Sequence, residues 1–383
     1  MKNINVPVGI SNFEKIRQDG YYYVDKTGLI KDMLKNKIPE VTLITRPRRF
    51  GKTLAMSMLA SFFDIRRDSK KLFQGLNISK EQQLCNDWMN QYPTLFLSFK
   101  DVDGTIFENA LGLLQFTIAE LCKKHTYLIE SDVVDQDDKE TFRKLKSMGS
   151  NLPELQGSII MLMNMMKAYY NKPVILLIDE YDVPIAKASS NGYYKEMLEV
   201  MKAMLSTALK DNEALKFAVV TGCLKIAKES VFTGTNNFVS DTISSERYNE
   251  YYGFIQKDVD QILQDAQIEE KASDIKEWYD GYRFGKADVY CPWDVLNYCR
   301  DLLKDEQAQP ENYWLNTSGN DVIEHFIDSV NGQQTLTKIE LERLISGEIV
   351  QKEINEFITY KELYNTSENL WSTLFMTGYL TQR

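Results

Sequence analysis

Residues 46–53, with the sequence RPRRFGKT, are the feature that most constrains how this chain can fold. They follow an apolar, β-branched run at residues 41–45 and precede a helix-like stretch at residues 54–63. A strand, a loop ending in Gly-Lys-Thr and a helix together build a P-loop. In a P-loop, backbone N–H groups cradle phosphate, the lysine reaches the β- and γ-oxygens, and the threonine binds Mg²⁺. The usual pattern is G-x-x-x-x-G-K-[ST], and here Arg46 replaces the first glycine.

The start of the loop therefore differs from the usual pattern, while its end is intact. Pro47 fixes its own φ and favours an extended conformation at Arg46. The arginines of the loop could contact phosphate or clamp acidic neighbours in the fold, and both alternatives stay open. The predicted nucleotide contacts are Arg48, Arg49, Phe50, Gly51, Lys52 and Thr53.

A second motif lies at residues 174–180, where the apolar run VILLI ends in Asp179 and Glu180. A carboxylate at the end of a buried strand beside a P-loop is suited to hold Mg²⁺ together with the P-loop threonine. We therefore predict Thr53 and Asp179 as the metal site. Glu180 is predicted to activate the attacking water, with Lys52 as the second catalytic group. Asp182 is either a third functional acid or part of a solvated turn.

The next strand, at residues 215–222, ends at Thr221 and a glycine. In P-loop ATPases with a strand inserted between the two motifs, a polar residue here senses the γ-phosphate; the alternative is an ordinary strand end with a glycine turn. The base is predicted to be adenine. The nearest match to the guanine-selective N-K-x-D element is GKAD at residues 285–288, which lacks the asparagine and is expected to follow no β-strand. The predicted cofactors are thus ATP and Mg²⁺. Arg247 and Arg283 are candidates for an arginine finger or for surface salt bridges.

Further buried-type strands at residues 93–99 and 238–243 alternate with helical segments. This pattern predicts an α/β fold, a P-loop NTPase with a parallel sheet of the additional-strand type. The methionines near residues 161–166 are expected to pack in the core, and the charged stretch 132–146 to form a surface loop or an exposed helix. The strand signal fades beyond residue 246. We predict a P-loop ATPase core at 1–245 and a helical C-terminal lid or regulatory domain at 246–383.

Composition narrows the class of protein. The formal net charge of the 383 residues is −10, which argues against direct nucleic-acid binding by this segment. The five cysteines are scattered without a C-x-x-C pair, as expected for reduced thiols. There is no signal-peptide core and no apolar run approaching the roughly 18 residues of a membrane span. We therefore expect a cytoplasmic protein with no membrane contact.

These motifs together resemble the bacterial family of predicted, or AAA-ATPase-like, ATPases. The resemblance is carried by the loop at 46–53 and by LIDEYD at 177–182, and further by GISNF at 9–13, YYVDKT at 22–27, Thr221-Gly222 with FTGTNN at 232–237, YYGF at 251–254, WYDGYRF at 278–284 and YCPW at 290–293. It implies that an arginine at position 46 is a family trait. It also implies a P-loop core followed by a helical lid, for which a winged-helix-like form is one version.

In many members of the family a PD-(D/E)xK nuclease-like domain follows, and residues 371–380 resemble the segment just before it. Residues 1–383 show no acid–acid–E-x-K arrangement on strands, so we expect a fragment or a member without the nuclease. The leading hypothesis is a Mg²⁺-dependent ATPase acting as a nucleotide switch. The alternatives are an ATP-binding scaffold with weak or no turnover, and the ATPase module of a nucleic-acid-acting or defence system. A protein partner or a homo-oligomer that completes the site stays open.

Overall fold

The computed structural model describes residues 4–35, 38–225, 238–314, 335–363 and 366–382. The centre of this part of the chain is a five-stranded, wholly parallel sheet in the order β2-β3-β4-β1-β5. Its strands are β1 (Val41–Thr45), β2 (Thr94–Ser98), β3 (Val174–Asp179), β4 (Leu215–Gly222) and β5 (Phe238–Asp241).

The order of the strands confirms the predicted α/β fold with an additional strand. Every residue of β1 and of β3 is buried, as expected for parallel strands covered on both faces. β4 lies between them, pairing Thr221 with Ile44 of β1 and Val220 with Ile178 of β3. The polar residues that end β1, β3 and β4 therefore meet at one edge of the sheet.

Helices cover both faces of this sheet. Up to residue 245 they include α1 (Phe13–Gln18), α2 (Gly28–Lys35), α3 (Lys52–Phe63), α4 (Lys70–Phe73), α5 (Gln82–Trp88), α6 (Phe107–Lys124), α7 (Gln136–Lys146), α8 (Leu152–Gln156), α9 (Ser158–Tyr170), α10 (Val183–Asn191) and α11 (Tyr194–Leu209). The methionines of α9 are buried in the main core, which confirms their predicted packing role. Of the two alternatives for the charged stretch, the helix is found, and its inner face buries Phe142 and Leu145.

The C-terminal part is mostly helical, with α12 (Gln256–Ala266), α13 (Ala272–Tyr279), α14 (Pro292–Leu302), α15 (Thr335–Ile345) and α16 (Ser367–Thr377). It also contains an antiparallel hairpin of β6 (Tyr282–Phe284) and β7 (Ala287–Val289), which the sequence did not indicate. Strands of three residues are too short to display the alternation that identifies a strand. A separate hydrophobic cluster joins α12, α13 and α14.

The N-terminal segment bonds to this C-terminal part as well as to α3, where Phe13 N donates to Ser57 Oγ at 3.0 Å. Tyr22 Oη donates to Asp265 Oδ2 at 2.8 Å, and Lys26 forms an ion pair with Asp258. Tyr251 Oη donates to the carboxylate of Asp32. The two parts of the chain are thus joined through residues 4–35, and the boundary at residue 245 stays a prediction.

Candidate nucleotide-binding site

The phosphate loop, residues 46–51, leads from β1 into α3. Gly51 precedes the helix with a φ of 84°, in the left-handed region that glycine adopts without strain. The first turn of α3 has no side-chain cap and no acidic residue, so its N–H groups are not satisfied by the helix itself. Such a helix N-terminus favours an anion, since its N–H groups and dipole both present positive charge.

Lys52 lies folded into the loop and is only 5% exposed. Its Nζ donates to the carbonyl oxygens of Arg46 and Pro47, both at 2.9 Å, and lies 3.7 Å from Cys223 Sγ. The carbonyl oxygens at the beginning of the phosphate loop therefore hold the ammonium group beside the first turn of α3.

The two predicted metal ligands are in direct contact. Thr53 Oγ1 donates to Asp179 Oδ2 at 2.8 Å, and Thr221 Oγ1 donates to Asp179 Oδ1 at 2.6 Å. Asp179 and Thr221 are fully buried. A hydroxyl and a carboxylate side by side are oxygen ligands of the kind that Mg²⁺ takes in nucleotide sites. Thr221 lies one hydrogen bond behind them.

Glu180 follows directly at the end of β3 with a φ of 52°, a conformation that is uncommon for a residue with a side chain. Burial raises the pKa of Glu180 above its usual range; Lys52 opposes that shift, and Asp179 and Asp182 reinforce it. A carboxylate with a raised pKa beside a phosphate loop is suited to accept a proton from water.

Lys52, Thr53 and Glu180 line a cleft of about 500 Å³, which is within the size range of small-molecule sites. Asp179 is fully buried and lies behind Thr53 rather than in the wall of the cleft. The walls are formed by the phosphate loop, Glu180, residues 7–11 of the N-terminal segment, and Pro292, Trp293 and Leu296 of α14. Arg49 lies over the ring of Trp293 at 4.1 Å and so joins the loop to α14. Arg48, Lys100 and Lys187 add positive charge, which matches a polyphosphate.

Sequence reasoning did not assign residues 7–11, Lys100, Lys187 or α14 to the site. Lys100 lies two residues after the end of β2, which pairs with the end of β3 at Asp179. Its position after a predicted strand could therefore have indicated that it belongs to the site. The contributions of residues 7–11 and of α14 depend on long-range packing and have no local signal.

One predicted nucleotide contact, Phe50, and the loop arginine Arg46 point away from the cleft. Phe50 is buried and packs against the rings of Tyr282 and Phe284 in the hairpin, at 5.0 and 4.9 Å. Arg46 is fully buried and donates to Thr45 O at 2.8 Å, to Asp241 O at 3.0 Å and to the Asp241 carboxylate. Of the alternatives for this arginine, the structure shows the clamp on an acidic neighbour.

The two candidate finger arginines lie outside the walls of the cleft as far as the structure describes them. Arg247 lies over the ring of Tyr248 at 4.8 Å, and Arg283 pairs with Asp288 at 3.2 Å. The expectation that GKAD at 285–288 follows no β-strand is wrong, because β6 ends directly before it and GKAD begins in the turn of the hairpin. Strands of three residues give no alternation that would have shown this, and the asparagine of the guanine-selective element is still lacking. Residues 232–237, which contribute to the resemblance, lie outside the described residues.

The sheet order and the loop geometry define a P-loop NTPase-like protein. The profile of the predicted AAA-ATPase family matches residues 7–232, more than half of the chain. The chain therefore belongs to this family, whose name supports nucleotide binding and gives no specific cellular role.

A relative in Azotobacter chroococcum mcd 1, described as an uncharacterized protein in the vnfD 5′ region, is 29% identical over 319 residues. The match covers 83% of this chain and 55% of the relative, so the chain spans about half of the relative's length. Among the described residues, none of the helices combines the length and apolarity needed to cross a bilayer.

Proposed function

We propose that this protein binds ATP with Mg²⁺ in the cleft and hydrolyses it, acting as a nucleotide-dependent switch. The observation that carries the proposal is the convergence of three groups at one sheet edge. They are the uncapped N-terminus of α3, the Lys52 ammonium, and the contact between Thr53 and Asp179 at 2.8 Å.

Each group then has a role in the reaction. The N–H groups of Gly51, Lys52 and Thr53 bind phosphate oxygens, and Lys52 neutralises charge on the β- and γ-phosphates. Thr53 and Asp179 hold the Mg²⁺, which when bound offsets the charge that develops on the phosphates. Glu180 orients the attacking water and accepts its proton.

The base is proposed to lie against an apolar pocket next to the cleft. This pocket of about 80 Å³ shares Gly51, Leu54 and Leu296 with the cleft. Its other walls include the rings of Tyr23, Tyr251 and Phe254. Apolar walls suit a stacked purine, and the missing N-K-x-D element favours adenine over guanine.

The test is equilibrium dialysis of ATP with and without Mg²⁺. Lys52→Ala should weaken ATP binding by about 10- to 100-fold, the value of one hydrogen bond to a charged group. Lys100→Ala is the matched control, because this lysine also lines the cleft but is largely exposed; its effect should stay below about threefold. Equal binding by wild type and Lys52→Ala, or no binding by either, would contradict the proposal.

An ATP-binding scaffold without turnover is the second candidate. The position of Arg247 and Arg283 away from the cleft favours it, since an arginine finger is a large part of catalysis in many P-loop enzymes. In an active enzyme that needs a finger besides Arg48 and Arg49, which line the cleft, that arginine would come from a second copy or a protein partner. Retained ATP binding with no measurable hydrolysis, at any protein concentration, would favour the scaffold.

A further inference from the structure

A segment near the C-terminus crosses the sheet edge that carries the candidate site. This segment, residues 354–363, is called the strap here. Ile358, Tyr360 and Leu363 are buried in the main hydrophobic core, although they lie more than 110 residues beyond β5 in the sequence. The strap is therefore built into the core of the P-loop part of the fold.

Asp182 is the point where the strap meets the candidate site. It is 2% exposed, and its Oδ2 accepts hydrogen bonds from Cys223 N at 2.9 Å, Leu224 N at 3.0 Å and Tyr360 Oη at 2.9 Å. The carboxylate thus holds the end of β4 on one side and the strap on the other. Burial raises the pKa of Tyr360 well above its usual value, so its hydroxyl remains a donor.

The end of β4 is the stretch that carries Thr221. Thr221 Oγ1 bonds to Asp179, and Thr221 O accepts from Tyr181 N at 3.0 Å. Tyr181 Oη in turn donates to Leu224 O at 2.9 Å. The acidic turn 179–182 and the end of β4 are therefore joined by several hydrogen bonds. Because of these bonds, a displacement of Asp179 or Thr221 also displaces Asp182.

The strap is also tied to α16. Asn355 N donates to Ser372 Oγ at 3.0 Å, and Asn369 Nδ2 donates to Glu362 O at 2.8 Å. At the far end of α16, Gly378 lies against the phosphate loop, since a Cβ added there would be 2.8 Å from Pro47 Cβ. The strap and α16 thus contact both the loop and the acidic turn of the candidate site.

We propose that Asp182 and Tyr360 are positioning residues that form a latch between the site and the strap. The latch holds Thr221 against Asp179 and transmits occupancy of the site to the strap and α16. This inference rests on the proposed function, because it names the element through which the switch is read.

The test is hydrogen exchange of the strap and α16 in the full chain, with and without Mg²⁺ and a non-hydrolysable ATP analogue. In nucleotide-free protein, Tyr360→Phe keeps the ring and removes one bond to a carboxylate, so exchange of the strap amides should rise about tenfold. In wild type the analogue should change exchange in the strap, and in Tyr360→Phe this change should be lost while the affinity stays within about threefold. Tyr298→Phe is the matched control. It also removes a hydroxyl that donates to a carboxylate, that of Asp274, but it lies in the separate hydrophobic cluster of α12, α13 and α14.

A second measurement, of the kinetics of ATP hydrolysis, distinguishes a latch that acts on the site from a contact that only stabilises the fold. Tyr360→Phe should lower kcat for ATP hydrolysis with little change in KM, and should add no further loss in an Asp182→Asn background. An analogue that binds wild type without altering exchange in the strap would overturn the latch and leave the proposed function standing. So would an unchanged response in Tyr360→Phe. Failure of wild type to bind the analogue would overturn both.

Discussion

The guanidinium group of Arg46 is buried against the carboxylate of Asp241, joining the ends of the neighbouring strands β1 and β5. The rings of Tyr252 and Phe284, each 5.4 Å away, flank it and bring the C-terminal part to the same point. The position that is glycine in the usual P-loop is thus used here to fasten two strands and a second part of the chain. The phosphate-facing end of the loop is left unaltered.

Restoring the usual glycine should therefore harm the fold. Arg46→Gly leaves the Asp241 carboxylate buried without its cation, and removing one partner of a buried pair costs about 3–5 kcal/mol. Urea unfolding should show this loss in the free energy of unfolding. Arg48→Gly is the control, since that side chain is exposed, and the double variant Arg46→Gly/Asp241→Leu should recover part of the loss. An Arg46→Gly protein as stable as wild type would show that the buried pair is not needed.

Glu180→Gln should separate binding from hydrolysis. The amide cannot accept the proton of the attacking water, so the rate should fall by about 100- to 10,000-fold while ATP binding is retained. Because the pKa of Glu180 is raised above 4.5, the wild-type rate should fall as the pH is lowered, with a midpoint above that value. The measurement is kcat against pH for both proteins. Equal rates in the two would remove Glu180 from the mechanism.

Gly222→Ala should disturb the contact between β4 and the acidic turn. A Cβ at this position would lie 2.6 Å from Tyr181 Cε1 and 2.7 Å from Asp182 Oδ1, and overpacking of this kind costs about 1–3 kcal/mol. Gly112→Ala in α6 is the matched control. It meets no atom within 4 Å, so it should raise the free energy of unfolding by about 0.4–1 kcal/mol. Thermal or urea unfolding should thus show a lower free energy of unfolding for Gly222→Ala and a higher one for Gly112→Ala. A change of the same sign in both would contradict the close approach of Gly222 to Tyr181 and Asp182.

His125 should make the protein less stable in mild acid. Burial lowers its pKa from 6.5 to about 3, with Arg66 and Lys124 adding to the shift. Between these two values the unfolded chain binds a proton that the folded chain does not, so stability is full above pH 6.5 and decreases as the pH falls. The loss attributable to this group should be about 2 kcal/mol by pH 5. In urea unfolding at pH 5 and at a pH above 6.5, His125→Gln should lose less stability than wild type between the two conditions. The same loss of stability in both proteins would contradict the assignment to His125.

The features that could be predicted from the sequence are those with a local signal. A pattern of a few neighbouring residues was enough to predict three segments: the loop at 46–53, the strand ending in Asp179 and the strand ending at Thr221. Because the strands pair in parallel, their carboxyl ends then lie together. The partner of Arg46 could not be predicted, because Asp241 lies 195 residues away. The same holds for α14 over the cleft and for the strap, whose positions depend on packing between distant segments.

The most direct test of the nucleotide site is a crystal structure with Mg²⁺ and a non-hydrolysable ATP analogue. The phosphates should bind to the N–H groups of Gly51, Lys52 and Thr53, with Mg²⁺ about 2.0–2.1 Å from Thr53 Oγ1. Arg46 should remain on Asp241. A cleft that stays empty at saturating analogue, or an Arg46 that leaves Asp241 to bind phosphate, would contradict this account.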